Sequence, residues 1–201
     1  LAATDADVIA LQGAPEAVLG RCDDELAARY PHRRALTRDG VAILSRFPIA
    51  SSNRLSLASQ TGHLQAVIQV AGRSLRVVSA QLDPWTALLG RCIQGTGDLQ
   101  HFAGFAGESL PTVLAGDLRT TDRSAAYRSL MAQGFRDAFV VAGTPGLGLT
   151  CAPSIGALRC PLALFRFDYL LCTAQLKPLA AAVLPVPGAP HRPLRAGFAW
   201  K

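Results

Sequence analysis

The stretch VLAGDLRTTD, residues 113–122, carries the clearest chemical signal in the chain. An apolar run, Val113-Leu114-Ala115, leads into Gly116-Asp117 and reads as a buried strand with a carboxylate at its exposed end. A carboxylate placed there can accept a proton from an attacking water or hold a cation. It can equally be a turn residue that caps the following segment. Arg119 comes two residues later. Its planar fork of donors suits a phosphate, and it also suits an ion pair with Asp117 that would occupy the carboxylate. The residue types leave both pairs of readings open.

The other metal- and redox-competent residues are more scattered. The five cysteines are Cys22, Cys92, Cys151, Cys160 and Cys172. None forms a C-x-x-C pair and no histidine cluster accompanies them, which argues against a zinc site. Cys151 and Cys160 flank a loop and could pair in an oxidising compartment; otherwise all five are free, mostly buried thiols. Nothing in the sequence assigns a compartment.

The scaffold must hold Asp117 and Arg119 in place. At 201 residues and 50% hydrophobic, the chain is long and apolar enough for one domain, residues 1–201, with a sizeable core. Its 17% charged content lies below the usual quarter and excludes a disordered chain. The net charge of +6 favours acidic partners, although the basic residues are scattered and also fit a merely solvated surface. No apolar run approaches the roughly 18 residues of a membrane-spanning helix.

Periodicity predicts strands near 6–12, 40–45, 65–70, 75–81, 111–116, 166–172 and 194–199. Helices are expected over 14–30, 86–107 and 121–134, the last with Asp122 as N-cap and Gly134 as its stop. Ala71-Gly72-Arg73 reads as a hairpin turn. Residues 143–164 read as an irregular loop. Hairpins mixed with strand–helix crossovers predict an α/β sandwich.

Six blocks in order, DADVIALQ, GVAILSRFPI, LRVVSAQLDP, PTVLAGDLRTT, FRFDYLL and PHRPLRA, resemble the endonuclease/exonuclease/phosphatase superfamily, the DNase I-like fold. The resemblance implies two packed sheets flanked by helices, with the site at one edge. It implies magnesium-dependent phosphoester hydrolysis. The family's first strand, which carries a metal-binding Asn, is not among these residues, so the resemblance places it upstream or leaves it lost.

Carried over position by position, the resemblance makes Asp117 the residue that orients or deprotonates water. It makes His191 the phosphate-contacting histidine and Asp168 its buttress. Gln81 stands where a phosphate-contacting His is usual, and Arg119 stands where Asn is usual. Gly13 replaces a metal-binding Glu, and Pro190 replaces the Asp of a closing Ser-Asp-His.

The expected site is therefore Asp117, Asp168 and His191 for catalysis, with Arg119 and Gln81 on phosphate and no metal bound. The expected function is a catalytically impaired member that binds a phosphate-bearing or acidic partner, such as nucleic acid or a phospholipid head group, or that serves as a subunit of a larger assembly. The alternative is a working magnesium-dependent phosphodiesterase with a rearranged site.

Overall fold

The computed structural model describes residues 5–57, 62–82, 93–152, 154–155, 158–159, 162–186 and 189–201. In chain order the elements are β1 (Val8–Leu11), α1 (Glu16–Glu25), β2 (His32–Leu36), β3 (Val41–Ser45), β4 (Ile49–Leu55), β5 (His63–Val70), β6 (Arg73–Gln81) and α2 (Ile93–Gly104). They continue with β7 (Thr112–Asp117), α3 (Ala125–Ala132), β8 (Arg136–Asp137), α4 (Ala138–Ala142), β9 (Ser154–Ile155), β10 (Leu158–Arg159), β11 (Asp168–Cys172), β12 (Leu176–Val183) and β13 (Leu194–Trp200).

The main sheet has six strands in the order β4-β5-β6-β7-β11-β8. The facing layer is built from two smaller sheets, β1-β3-β2 and the ribbon β12-β13. This is the expected mixed α/β sandwich, with the second layer divided in two. β3 is buried along its whole length because its run Val41-Ala-Ile-Leu-Ser45 lies between β1 and β2 and also packs on β5 and β6. β7 is likewise fully buried, between β6 and β11.

Side chains of β7 alternate between the two faces. Leu114 joins Leu118, Leu99, Phe102 and Leu130 beneath α2 and α3. Val113 instead meets Leu176, Phe198 and Trp200 of the ribbon. The β5–β6 hairpin turns at Ala71 (φ 49°) and Gly72 (φ 78°), the two positive φ values that a tight two-residue hairpin requires.

Gly116 is fixed by close approach. A Cβ there would lie 1.9 Å from the carbonyl oxygen of Ala80 on the parallel neighbour β6. Both groups are backbone in the middle of the sheet and cannot swing aside. Gly116→Ala is expected to cost about 3 kcal/mol or more, read as a fall in the urea midpoint. An unchanged midpoint would show that β6 and β7 can separate locally.

Three expectations need adjustment. The helix expected over 121–134 starts at Ala125, and Ser124 rather than Asp122 caps it, accepting from the Tyr127 amide at 3.0 Å. The helix expected over 86–107 covers Ile93–Gly104; residues 83–92 lie outside the described residues. β2 was not expected. Its sequence His-Arg-Arg-Ala-Leu is polar because the strand lies at the edge of its sheet and is only partly buried.

Candidate functional site

Strand register brings distant residues together. β6 and β7 run parallel with Gln81 beside Asp117, and β11 runs antiparallel with Asp168 opposite Asp117. Gln81, Asp117 and Asp168 therefore share one end of the main sheet. His191 reaches the same end from the segment before β13, where Cys151 lies directly across a backbone bridge from it.

His191 Nδ1 lies 2.9 Å from Asp168 Oδ2 and 3.8 Å from Asp117 Oδ2. The bond to Asp168 raises the imidazole pKa above its ordinary value, against an opposing push from burial. Asp168 itself is fixed from behind by Thr150, whose hydroxyl accepts from the amides of Phe167 and Asp168.

Asp117 is buried, and its carboxyl pKa is pushed up to about 6. Burial is the main cause, and the neighbouring Asp168 charge adds to it. Arg119 opposes the shift. Its Nε stands 2.7 Å from Asp117 Oδ2, an ion-pair contact in which that N–H is not aligned for a hydrogen bond. The Arg119 amide donates to Asp117 Oδ1 at 3.1 Å. Its φ of 48° is left-handed, a region that Asn enters far more readily than Arg.

Gln81 is hydrogen-bonded to the loop after β1. Its side-chain oxygen accepts from the Gly13 amide at 2.8 Å. Gly13 has a φ of 60°, and a Cβ on it would meet the Gln81 side-chain Nε2 at 3.2 Å. Pro190 contributes a backbone carbonyl, which accepts from the Ala152 amide.

Asp117, Asp168 and His191 bring one possible ligand atom each within 4.8 Å of one another. The structure thus gathers Asp117, Asp168, His191 and Arg119 at one site and sets Gln81 beside them. It also places there a residue read only as a thiol: the Cys151 sulfur is 3.4 Å from His191 Nε2. Forty positions separate the two residues and no local motif links them. The pairing of Cys151 with Cys160 falls partly outside the described residues, because Cys160 is not among them. His63 and Asp98 form a second buried pair, with Nε2 to Oδ2 at 3.1 Å, and His63 Nδ1 accepts from the Gln81 amide at 3.3 Å.

The model of the Endonuclease/Exonuclease/phosphatase family matches residues 1–194, and the chain belongs to that family. It is a phosphoesterase-like domain by descent. No curated sequence matches the chain. Several solved structures share the fold. A family protein from Leptotrichia buccalis is 21% identical with a TM-score of 0.63, over 80% of this chain and 66% of that one. A humanized TDP2 from D. rerio is 17% identical with a TM-score of 0.74, over 99% and 88% of the two chains. Sphingomyelinase C from Streptomyces griseocarneus is 20% identical with a TM-score of 0.68, over 96% and 83%. At these identities the likeness is one of fold. No helix among the described residues is long and apolar enough to cross a membrane.

Proposed function

We propose that this domain binds a phosphate ester through Arg119 and has lost most of the metal-assisted hydrolysis of its family. One observation carries the reading. Asp117 holds the Arg119 guanidinium by Nε, while its two terminal amino groups have no hydrogen-bond partner among the described residues. Those groups present a fork of the kind that binds phosphate oxygens. The site supplies this cation where its relatives would rely on a metal. The net charge of +6 is consistent with a phosphate-bearing nucleic acid or phospholipid head group as partner.

The donor set does not suit magnesium as it stands. Mg²⁺ takes about six oxygen ligands at close to octahedral geometry. Asp117 Oδ2 is engaged by a guanidinium and Asp168 Oδ2 by an imidazole. Gly13 and Pro190 offer no side-chain oxygen. A divalent ion would also meet the Arg119 charge at close range, a repulsion of about 1 kcal/mol per unit charge product even at the dielectric of water.

A second reading, a working metal-dependent hydrolase, draws on the grouping of Asp117, Asp168 and His191. One experiment decides between the two. Inorganic phosphate and a generic aryl phosphodiester are titrated into the protein, with calorimetry for binding and product release for turnover. Arg119→Ala is expected to weaken phosphate binding about tenfold, the loss of one charge-assisted pair. Magnesium and EDTA are expected to change nothing. Turnover at an ordinary enzyme rate that EDTA abolishes would establish the hydrolase instead.

A further inference from the structure

We infer that Cys151, His191 and Asp168 form a thiol–imidazole–carboxylate relay that opens a phosphate ester without a metal, Cys151 being the nucleophile. The inference rests on the phosphate-binding reading of the same cleft. Its geometry stands on three contacts in series. Cys151 Sγ is 3.4 Å from His191 Nε2, and His191 Nδ1 is 2.9 Å from Asp168 Oδ2. Asp168 is braced in turn by the Thr150 hydroxyl. A nucleophile against one ring nitrogen and a carboxylate against the other is the arrangement that activates a weak nucleophile. The carboxylate keeps the proton on Nδ1 and leaves the Nε2 lone pair facing the thiol.

The backbone fixes this pairing. Cys151 is bridged to His191 on one side and to Phe165 on the other, its amide donating to the Phe165 carbonyl. The Ala152 amide donates to the Pro190 carbonyl, and the Arg192 amide to the Thr150 carbonyl. Side chains directly opposite across such a bridge are neighbours by construction. Arg119 Nε lies 2.7 Å from Asp117 Oδ2, which in turn lies 3.8 Å from His191 Nδ1, the ring that Cys151 faces. The phosphate-binding group is therefore part of the same cluster.

Burial pushes the Cys151 thiol up from its ordinary value, so a free thiolate is not the resting state. The relay removes that obstacle by moving the proton during attack. As Sγ bonds to phosphorus, its proton passes to His191 Nε2 and the bond to the leaving oxygen breaks. The leaving alkoxide takes the proton from Nε2 and departs as the alcohol. Water then attacks phosphorus and gives a proton to Nε2. The sulfur–phosphorus bond breaks, and the thiolate recovers the proton. One water is consumed, one ester bond is hydrolysed, and no electron donor or acceptor takes part.

The test uses an aryl phosphodiester in EDTA, with quenched samples mapped by mass spectrometry, and iodoacetamide as a separate thiol probe. Wild-type protein is expected to release up to one equivalent of phenol rapidly and to carry the phosphoryl group on Cys151. Cys151→Ser and Cys151→Ala are expected to remove both signals while retaining calorimetric phosphate binding. Cys151, Cys22 and Cys172 are all buried, so alkylation of Cys151 is expected to outpace that of the other two through its contact with His191, and to slow at least tenfold in His191→Gln. Should both cysteine variants fail to fold, the same slowing in Asp168→Asn keeps the test in force. No adduct on Cys151, an equal release from Cys151→Ser, or an alkylation rate indifferent to His191 and Asp168 each overturns the relay. Loss of phosphate binding in Arg119→Ala is scored independently, so the relay can fail while the phosphate-binding reading stands.

Discussion

Replacing Arg166 by alanine is expected to cost about 3–5 kcal/mol, the range for removing one partner of a buried ion pair. That is a large part of the 5–15 kcal/mol a domain typically has. Arg166 and Asp137 are both almost fully buried and in direct contact. Arg166 also lies over the rings of Tyr169 and Phe139. Asp137 accepts from the Tyr127 hydroxyl at 2.9 Å and caps α4 through the amides of Phe139 and Val140. Removing the guanidinium leaves a buried carboxylate with no opposite charge. Arg166→Met with Asp137→Asn removes both charges and keeps the cap, and it is expected to recover at least half of the loss. Urea denaturation of the single and double variants measures both values. A single-variant cost below 1 kcal/mol would show that Asp137 finds water or another cation.

The same network reaches the site. The Tyr169 hydroxyl lies 2.8 Å from the Thr120 carbonyl and 2.9 Å from that of Arg166. It ties the turn carrying Arg119 to the segment leading into Asp168. Arg166 is therefore a support for the cleft and makes no contact there itself.

Most strand positions were legible because buried strands leave apolar runs, and those of β3 and β7 are nearly unbroken, whereas the order of the strands in the sheets was not. The edge strand β2 left no such mark. Asp117 was legible as a carboxylate at the end of an apolar run, but Asp168 and His191 could be named only because a family pattern links positions too far apart for spacing to relate. The turn after Asp117 shows what the sequence hides. Arg119 stands where the resemblance leads one to expect Asn, and its backbone has a left-handed φ of 48° that favours Asn. Gly13 gives the converse case. Its φ of 60° and the nearby Gln81 side-chain nitrogen mean that placing a Glu there would introduce strain as well as a carboxylate. The contact of Cys151 with His191 depends on one backbone bridge across forty residues, which neither periodicity nor motif could disclose.

Asp117→Asn is expected to stabilise the protein at pH 7 by about 1–3 kcal/mol. The upper figure follows from a gap of about two pH units at roughly 1.4 kcal/mol each. The folded carboxyl titrates near pH 6 and the unfolded one near 3.8. Between those values the folded state holds a proton that the unfolded state has released. Stability from this group is therefore full below pH 3.8 and falls as pH rises through 6. His191 acts in the same direction. Its folded pKa is raised, so its contribution is present below 6.5 and is lost as pH rises through the folded value. His63 opposes both. Burial lowers its pKa, so its neutral form favours folding above 6.5 and stability is lost as pH falls below that. Comparing Asp117→Asn with wild type from pH 4 to 8 isolates the first effect. Asn retains an oxygen to accept from the Arg119 amide, so the turn is preserved. The wild-type excess slope between pH 4 and 6 should vanish in the variant. If Asp117→Asn instead loses stability at pH 7, the Arg119 pair outweighs the burial of the carboxylate. The cleft would then be held together by that pair rather than keeping its charge at the expense of stability, as sites retained for binding commonly do.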